Sequence, residues 1–481
     1  MKKLILVLIS FLLMISIGCT QKTKPVKQSA AIVIEKIILH SGITFARERF
    51  IEVKTDTIHY DFVENEFTEL GYRLIQQGKF AEAIEVYKMN IELFPNSVNT
   101  YESLGESYII TGNYDFALEN YRKALQLDPN LMSAKRGLLY LMSFADSDEN
   151  KGRVIADKVH SKGLESNLLG DSPDVSVIIY LPPGYKKSPQ RHYPAVYLLH
   201  GYGGNNRIWL DGGYQDFNIK NAMDSLIVSG KVKEMIIVMP NAYNKYRGSW
   251  YGNSSVTGNW ERFITKELIA YIDSNYRTLT SPKNRGITGH SMGGLGAVRY
   301  AFFYPGIFNA VYAMSAGTPL VSEYHFKWFM DVIEEEKLQL PDWKNMSIAD
   351  FYNLHWVWKT SIAVSSAYAP NPNNPPFFVD FPFVEKNGKI QIDETVLHKW
   401  RKNDPLVIID SMRETLIKLN IRFDVGTSDR LLFPNRIFAK KLSDAKIPYL
   451  FEEYKGDHIN QIHIRLLNKV LPFFSEVLSF E

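Results

Sequence analysis

Apolar and polar positions along this chain follow three different patterns. The first is one apolar run, Leu4 to Ile17, preceded by Lys2 and Lys3 and closed by Gly18 and Cys19. In the second, up to about residue 148, apolar positions recur at helical spacing; Ile43, Phe45, Ala46, Phe50 and Val53 form one such set, with Ser41 placed to cap its helix. The third pattern has a different period. Short β-branched and aromatic runs alternate there with helical segments: Val175–Leu181, Ala195–Leu199, Met235–Met239, Gly286–Thr288, Ala310–Met314, Ile421–Val425 and Tyr449–Glu453. Near-continuously apolar strands separated by helices predict a mostly parallel sheet covered on both faces, so the C-terminal region is expected to be α/β.

The helical region repeats itself. Gly71, Ala83, Tyr87 and Pro95 recur as Gly105, Ala117, Tyr121 and Pro129, each pair 34 positions apart, which is the tetratricopeptide period. Small residues let paired helices approach, and the prolines end the second helix of each unit. Met132–Met142 predicts a closing helix over the last repeat. Two repeats curve too little to form a deep groove, so a spacer or docking role is favoured over capture of a protein partner. A charged stretch from Asp146 to Lys151 marks a boundary. The expected organisation is a signal at 1–19, a tether at 20–35, an all-α repeat domain at 36–148, a linker at 149–165 and an α/β domain at 166–481, with an insertion at about 318–404.

Composition narrows the partners. The chain is 45% hydrophobic and 22% charged, with a net charge of +3 from scattered Lys and Arg, which disfavours nucleic acid. No later apolar run reaches the roughly 18 residues of a membrane span. The single cysteine, Cys19, stands where the N-terminal signal ends. This segment resembles a bacterial lipoprotein signal, which implies export and a lipid anchor on Cys19. Thr20 in place of aspartate favours the outer membrane on that resemblance. No disulfide is available to brace the exported protein.

Candidate chemistry lies in the α/β region. Gly289-His290-Ser291-Met292-Gly293-Gly294 contains G-x-S-x-G, a weak pattern alone. Its setting sharpens it, because the run before it reads as a strand and Leu295–Phe303 as a helix, the strand–turn–helix of a nucleophile elbow. A serine hydroxyl needs a base to take its proton and a carboxylate to hold that base. Five histidines follow Ser291: His325, His355, His398, His458 and His463. Only His458 lies in a turn, Lys455-Gly456-Asp457, directly after the last predicted strand. The carboxylate is expected in Gly426-Thr427-Ser428-Asp429, with Asp424 and Asp457 as rivals and helix capping as the plainer role for Asp429. Two backbone donors are needed for the oxyanion, and the amides of Met292 and of Tyr202, in the His200-Gly201-Tyr202-Gly203-Gly204 loop, are the candidates. An ordinary glycine turn is the other reading of that loop.

From about Val175 onward the chain resembles the esterase D-like family of α/β-hydrolases. The resemblance rests on Tyr180-Leu181-Pro182-Pro183-Gly184-Tyr185, the His200-Gly201 loop, Gly289 to Gly294, Gly426 to Asp429 and Gly456 to His458, in that order. It implies ester chemistry through a Ser-Asp-His triad and leaves the substrate open among feruloyl, acetyl-xylan, thioester and siderophore esters, with acyl transfer to an alcohol as an alternative and a non-catalytic envelope adaptor as a third. Trp250, Tyr251 and Asn253 are candidates for substrate contact, against a simple packing role. The insertion is expected to form a lid or cleft wall. No paired-histidine or cysteine metal signature is present, so no cofactor is expected.

Overall fold

Helical spacing and strand-length apolar runs both produce the elements they predict, in a computed structural model that describes residues 27–144, 150–317 and 323–481, without the side chains of 323–325. The expected signal with Cys19, the first part of the tether, residues 145–149 of the expected boundary and residues 318–322 of the insertion lie outside the described residues. The rest forms two compact units divided between Lys135 and Arg136.

The first unit holds α1 (Ala30–Ser41), α2 (Ile43–Val53), α3 (Glu64–Gln76), α4 (Phe80–Leu93), α5 (Val98–Ile110) and α6 (Tyr114–Leu127). The two repeats are α3 with α4 and α5 with α6. Gly71 and Gly105 fill equivalent places because the buried Tyr87 and Tyr121 rings lie against them. Asn90, fully buried, joins one repeat to the next by donating to the Glu64 carbonyl and to the Thr68 and Thr100 hydroxyls, each at 3.1 Å. Two expectations need correction. The tether does not extend to residue 35, since Ser29 accepts from the Ile32 amide at 3.2 Å and starts α1; the run Ala30-Ala31-Ile32-Val33-Ile34 lacks the polar spacing that marks a helix. Ser41 ends α1 instead of capping α2, and Gly42, at φ 87°, makes the break between them. A two-residue parallel pairing of Gln28–Ser29 with Tyr60–Asp61 is the one exception to an all-helical unit among the described residues.

Helix α7 (Met132–Met142) continues into the second unit. From Arg136 on, this segment bonds within that unit: Arg136 pairs with Asp211 at 3.2 Å, and Asn218 donates to Ser143 at 2.7 Å. The central sheet has eight strands, β1 (Arg153–His160), β2 (Asp174–Leu181), β3 (Ala195–Leu199), β4 (Ile236–Pro240), β5 (Arg285–His290), β6 (Ala310–Met314), β7 (Asn420–Gly426) and β8 (Leu450–Tyr454), in the spatial order β8-β7-β6-β5-β3-β4-β2-β1. Strands β3 to β8 pair in parallel, while β2 runs antiparallel to both β4 and β1. The expected linker at 149–165 therefore contains an edge strand, β1. It escaped the apolar pattern because an edge strand with one neighbour keeps charged residues such as Arg153 and Lys158 facing solvent.

Register aligns the C-terminal ends of the parallel strands: Leu199 pairs with Gly289, His290 with Met314, and Gly426 with Tyr454. Loops leaving β3, β5, β7 and β8 thus emerge along one edge, where open α/β sheets bind ligands. Helix α8 (Met292–Phe303) follows β5, and α9 (Glu323–Glu335), α10 (Trp356–Tyr368) and α11 (Glu394–Arg401) belong to the insertion, with α12 (Leu432–Asp444) after β7.

A methyl at Gly71 meets the Tyr87 ring at 2.4 Å, and one at Gly105 meets Tyr121 at 3.1 Å. Overpacking costs about 1–3 kcal/mol, against about 1 kcal/mol gained in helix propensity. Gly71→Ala is therefore expected to lower the melting temperature of the repeat unit while Gly105→Ala stays near neutral. Thermal melts followed by far-UV circular dichroism measure both, and equal shifts would contradict the packing argument.

Candidate active site

The turn between β5 and α8 is set by crowding. A Cβ at Gly289 would lie 2.4 Å from the Gly293 backbone, and one at Gly293 would lie 2.2 Å from the Leu199 carbonyl oxygen, so only glycine fits at either place. Between them Ser291 adopts φ 56° and ψ −116°, the strained conformation of a nucleophile elbow. Its amide donates to the Met314 carbonyl of β6 at 3.0 Å, which pins the turn to the sheet.

Loops after β7 and β8 are knitted together in the same way. The Ser428 amide donates to the Gly456 carbonyl at 2.9 Å, and Gly426 leaves space for that carbonyl, which a Cβ would meet at 2.4 Å. Asp429 and His458 are thereby brought side by side. The His458 Nδ1–H donates to Asp429 Oδ2 at 2.8 Å, and Ser291 Oγ lies 3.0 Å from His458 Nε2, where its hydroxyl donates. Asp429 also accepts from the Leu431 amide at 2.9 Å, so it caps the turn into α12 as well as holding the histidine. Burial works to raise the Asp429 carboxyl, but bonds from His458 and Leu431 outweigh it and hold it below the ordinary carboxylate range.

The rival groups are committed elsewhere. Asp424 is buried between Arg465, at 2.6 Å, and the Tyr312 hydroxyl, at 2.7 Å, and burial pushes its carboxyl up to about 6. Asp457 accepts from the Ile459 and Asn460 amides at 2.8 Å. His355 caps α10 and pairs with Glu336 at 3.1 Å, while His398 lies in α11 and His463 in the helix Ile462–Arg465. The His325 side chain lies outside the described residues.

The two candidate oxyanion donors share the required environment. Met292 opens α8, where first-turn amides have no intrahelical acceptor. The Tyr202 amide likewise has no backbone acceptor among the described residues, whereas its neighbours Gly203 and Gly204 donate to Arg247 and Gly201. Gly201 sits against the elbow, where a Cβ in place of its hydrogen would lie 3.4 Å from Ser291 Cβ.

Two supporting histidines were not singled out from sequence, although both lie inside the motifs. Buried His290 donates from Nε2 to the His458 carbonyl at 2.8 Å and accepts at Nδ1 from the Tyr214 hydroxyl at 2.8 Å. Buried His200 accepts the Ala242 amide at Nε2, at 2.8 Å, and donates from Nδ1 to the Gly201 carbonyl at 2.9 Å. The Ala242 amide can only donate, so the His200 pattern needs a neutral ring, whereas at His290 the neutral form is favoured by burial. Burial pulls His290 down to about 3, helped by the nearby His458, and pulls His200 down to about 4.

The pocket over Ser291 is walled by tryptophan. Trp250 and Tyr202 come from the sheet side, and Trp328, Trp356 and Trp400 from the insertion, joined by Arg430. Trp356, Thr360 and Val364 line it at helical spacing along α10. The expected cleft wall is thus formed by α9, α10 and α11. The other two substrate-contact candidates are corrected. Tyr251 turns inward, fully buried, and donates to the His200 carbonyl at 3.1 Å; Asn253 is exposed in a short pairing with Asn259, away from the pocket lining. A turn at positive φ through Trp250 and Tyr251, at 49° and 53°, sends the two rings to different environments, which residue order alone does not reveal.

A family model described as "Putative esterase" matches residues 166–474. The chain belongs to this family. An esterase of Mycobacterium tuberculosis is 28% identical over 301 residues, 62% of this chain and 54% of its own, so the chain spans about half the length of that curated relative. An endo-1,4-beta-xylanase/feruloyl esterase of Xylanibacter ruminicola is 34% identical over 150 residues, 30% of this chain and 20% of its own. A solved ferulic acid esterase aligns at 25% identity and a TM-score of 0.49, covering 68% of this chain and 99% of its own. A tetratricopeptide repeat model matches residues 98–131, the α5–α6 pair.

Neutrality of the two supporting histidines has a measurable sign. Unfolded, each binds a proton near 6.5; folded, each stays neutral down to about 4 or about 3. The unfolded chain takes up more protons below that upper value, so their contribution to stability is complete above it and falls with pH, by up to about 1.4 kcal/mol per pH unit for each ring. Histidine NMR titration, with signals assigned from His200→Gln and His290→Gln, is expected to show two rings that do not titrate between about pH 7.5 and about pH 5. A midpoint near the ordinary histidine value for either would contradict the assigned bonding.

Proposed function

We propose that this protein is a serine carboxylic-ester hydrolase in which Ser291, His458 and Asp429 act as the catalytic triad. One observation carries the reading: an unbroken line of hydrogen bonds from Ser291 Oγ through His458 to buried Asp429, ending on a strained turn that presents the serine. In this reaction His458 Nε2 takes the Ser291 proton as Oγ attacks the ester carbonyl carbon. Negative charge then collects on the carbonyl oxygen, to be met by the amides of Met292 and Tyr202. Asp429 holds the imidazole in the tautomer that accepts at Nε2 and balances the imidazolium. Collapse of the adduct expels the alcohol with the proton from His458 and leaves an acyl-enzyme. Water, activated by the same histidine, releases the acid and restores the serine.

The substrate class we favour is an ester with a flat aromatic or sugar portion, such as a feruloyl ester of a carbohydrate. The tryptophan-walled pocket supports this, because planar rings stack on Trp faces. The name of the Xylanibacter ruminicola relative is consistent with it.

Hydrolysis of p-nitrophenyl acyl esters and methyl ferulate tests the proposal. Ser291→Ala and His458→Ala are each expected to lower kcat by about 10⁴- to 10⁶-fold, and the double variant to be no worse than either single one. Asp429→Asn is expected to cost about 10⁴-fold by losing the correct tautomer. Ser291→Ala retaining a substantial fraction of wild-type turnover would sink the assignment.

A further inference from the structure

The pocket over Ser291 holds one charged side chain among the described residues, and that group feels the charge of adjacent Asp429 but forms no ion pair with any described carboxylate. Arg430 directly follows Asp429 on the loop between β7 and α12 and lines the pocket with the serine. Several other arginines of the unit are neutralised: Arg465 by Asp424 and Glu452, Arg285 by Asp273, Arg299 by Glu261 and Arg436 by Glu453. Arg430 bonds to no carboxylate among the described residues. Its neighbour Asp429 has both oxygens engaged, one by His458 and one by the Leu431 amide. The guanidinium instead lies over Trp328, 4.8 Å from the ring centroid, and Trp328 is stacked on Trp356 at 4.7 Å.

The rest of the lining is rich in donors and poor in acceptors. Three pocket residues carry buried polar groups with no partner among the described residues, the Trp250 and Trp400 indole N–H groups and the Tyr202 hydroxyl. Buried donors left without acceptors cost stability unless a ligand or water meets them. Two further cations lie nearby. Arg247 approaches Gly203, next to Tyr202, and its charge pushes the Lys359 ammonium on α10 down after burial has done so. Neither of these cations pairs with a carboxylate among the described residues.

We propose that Arg430 is a specificity-determining residue that makes this pocket selective for esters carrying a free carboxylate. The inference rests on the esterase reading of the same site and narrows its substrate class to aromatic or sugar esters that also carry an acidic group, such as esters of an acidic sugar. A guanidinium offers two parallel N–H groups to a planar carboxylate, and its stacking on Trp328 fixes that fork in place. The aromatic wall then holds the apolar portion between the carboxylate and the scissile carbonyl. A role confined to steadying the charge of Asp429 is the competing account, and it predicts equal effects on charged and neutral substrates.

Two isosteric pairs separate these accounts and also locate the carboxylate. The first is p-nitrophenyl hemiglutarate against its neutral amide analogue, with the charge in the acyl half. The second is m-carboxyphenyl against m-carbamoylphenyl pentanoate, with the charge in the alcohol half. For at least one pair, Arg430→Gln is expected to lower the ratio of kcat/KM, charged over neutral, by about 10-fold or more, carried by KM, with partial rescue in Arg430→Lys. An unchanged ratio in both pairs, or an equal fall for charged and neutral members through kcat, would overturn the proposal. A binding measurement keeps it separable from the esterase reading. In Ser291→Ala, quenching of tryptophan fluorescence by phenylpropanoate is expected at lower concentration than by phenylpropanamide, and the difference is expected to vanish when Arg430→Gln is added. Carboxylate preference without turnover of any ester would leave the inference standing and defeat the esterase reading; equal affinity for acid and amide would defeat the inference.

Discussion

The turn at Ser291 has no room for a side chain on either flank, and the remainder of the site is arranged around that crowding. Gly293 presses on the carbonyls of Leu199 and His200, so the same contact that strains the serine also fixes the start of the loop carrying Tyr202. The positive φ of a serine costs on the order of 1–3 kcal/mol, and it persists because the surrounding sheet over-determines it. Here that constraint comes from the parallel pairing of β5 with both β3 and β6 and from the bond between the Ser291 amide and Met314.

Polar positioning and pocket shape are divided between different parts of the chain. Strand-end loops carry Ser291, Asp429 and His458, and buried His290 and His200 tie those loops together through backbone carbonyls and amides. A charged ring at His200 would lack an acceptor for its second proton, because the Ala242 amide only donates, and at His290 burial disfavours the charge. The insertion supplies three of the four pocket tryptophans and none of the hydrogen-bonded Ser291, His458 and Asp429. Substrate preference can therefore change in α9, α10 and α11 without disturbing the geometry at Ser291, a separation that suits a family whose fold outlives any one substrate.

What was legible in the sequence is what short-range constraints determine. Buried parallel strands are apolar on both faces, so β3 and β6 appear with the ends expected of them, and the 34-residue period located both helix pairs. Asp429 and His458 were readable because tight glycine turns after the last two strands leave few places for a carboxylate and a base. Long-range choices were not readable in the same way. β1 reads as linker because its partner β2 covers one edge only, and α1 reads as tether because its β-branched run has no polar face. Tyr251 and Trp250 are adjacent and chemically alike, yet backbone torsion sends one to the core and one to the pocket. Arg430 looks like any surface arginine until the insertion brings Trp328 beneath it.

The most direct test of Ser291 as nucleophile is its covalent capture: incubation with a fluorophosphonate followed by intact-mass and peptide mass spectrometry. One adduct per chain is expected, located on the peptide containing Ser291, absent in Ser291→Ala and strongly slowed in His458→Ala. No adduct on the folded wild-type protein, or an adduct on another residue that survives Ser291→Ala, would contradict the triad.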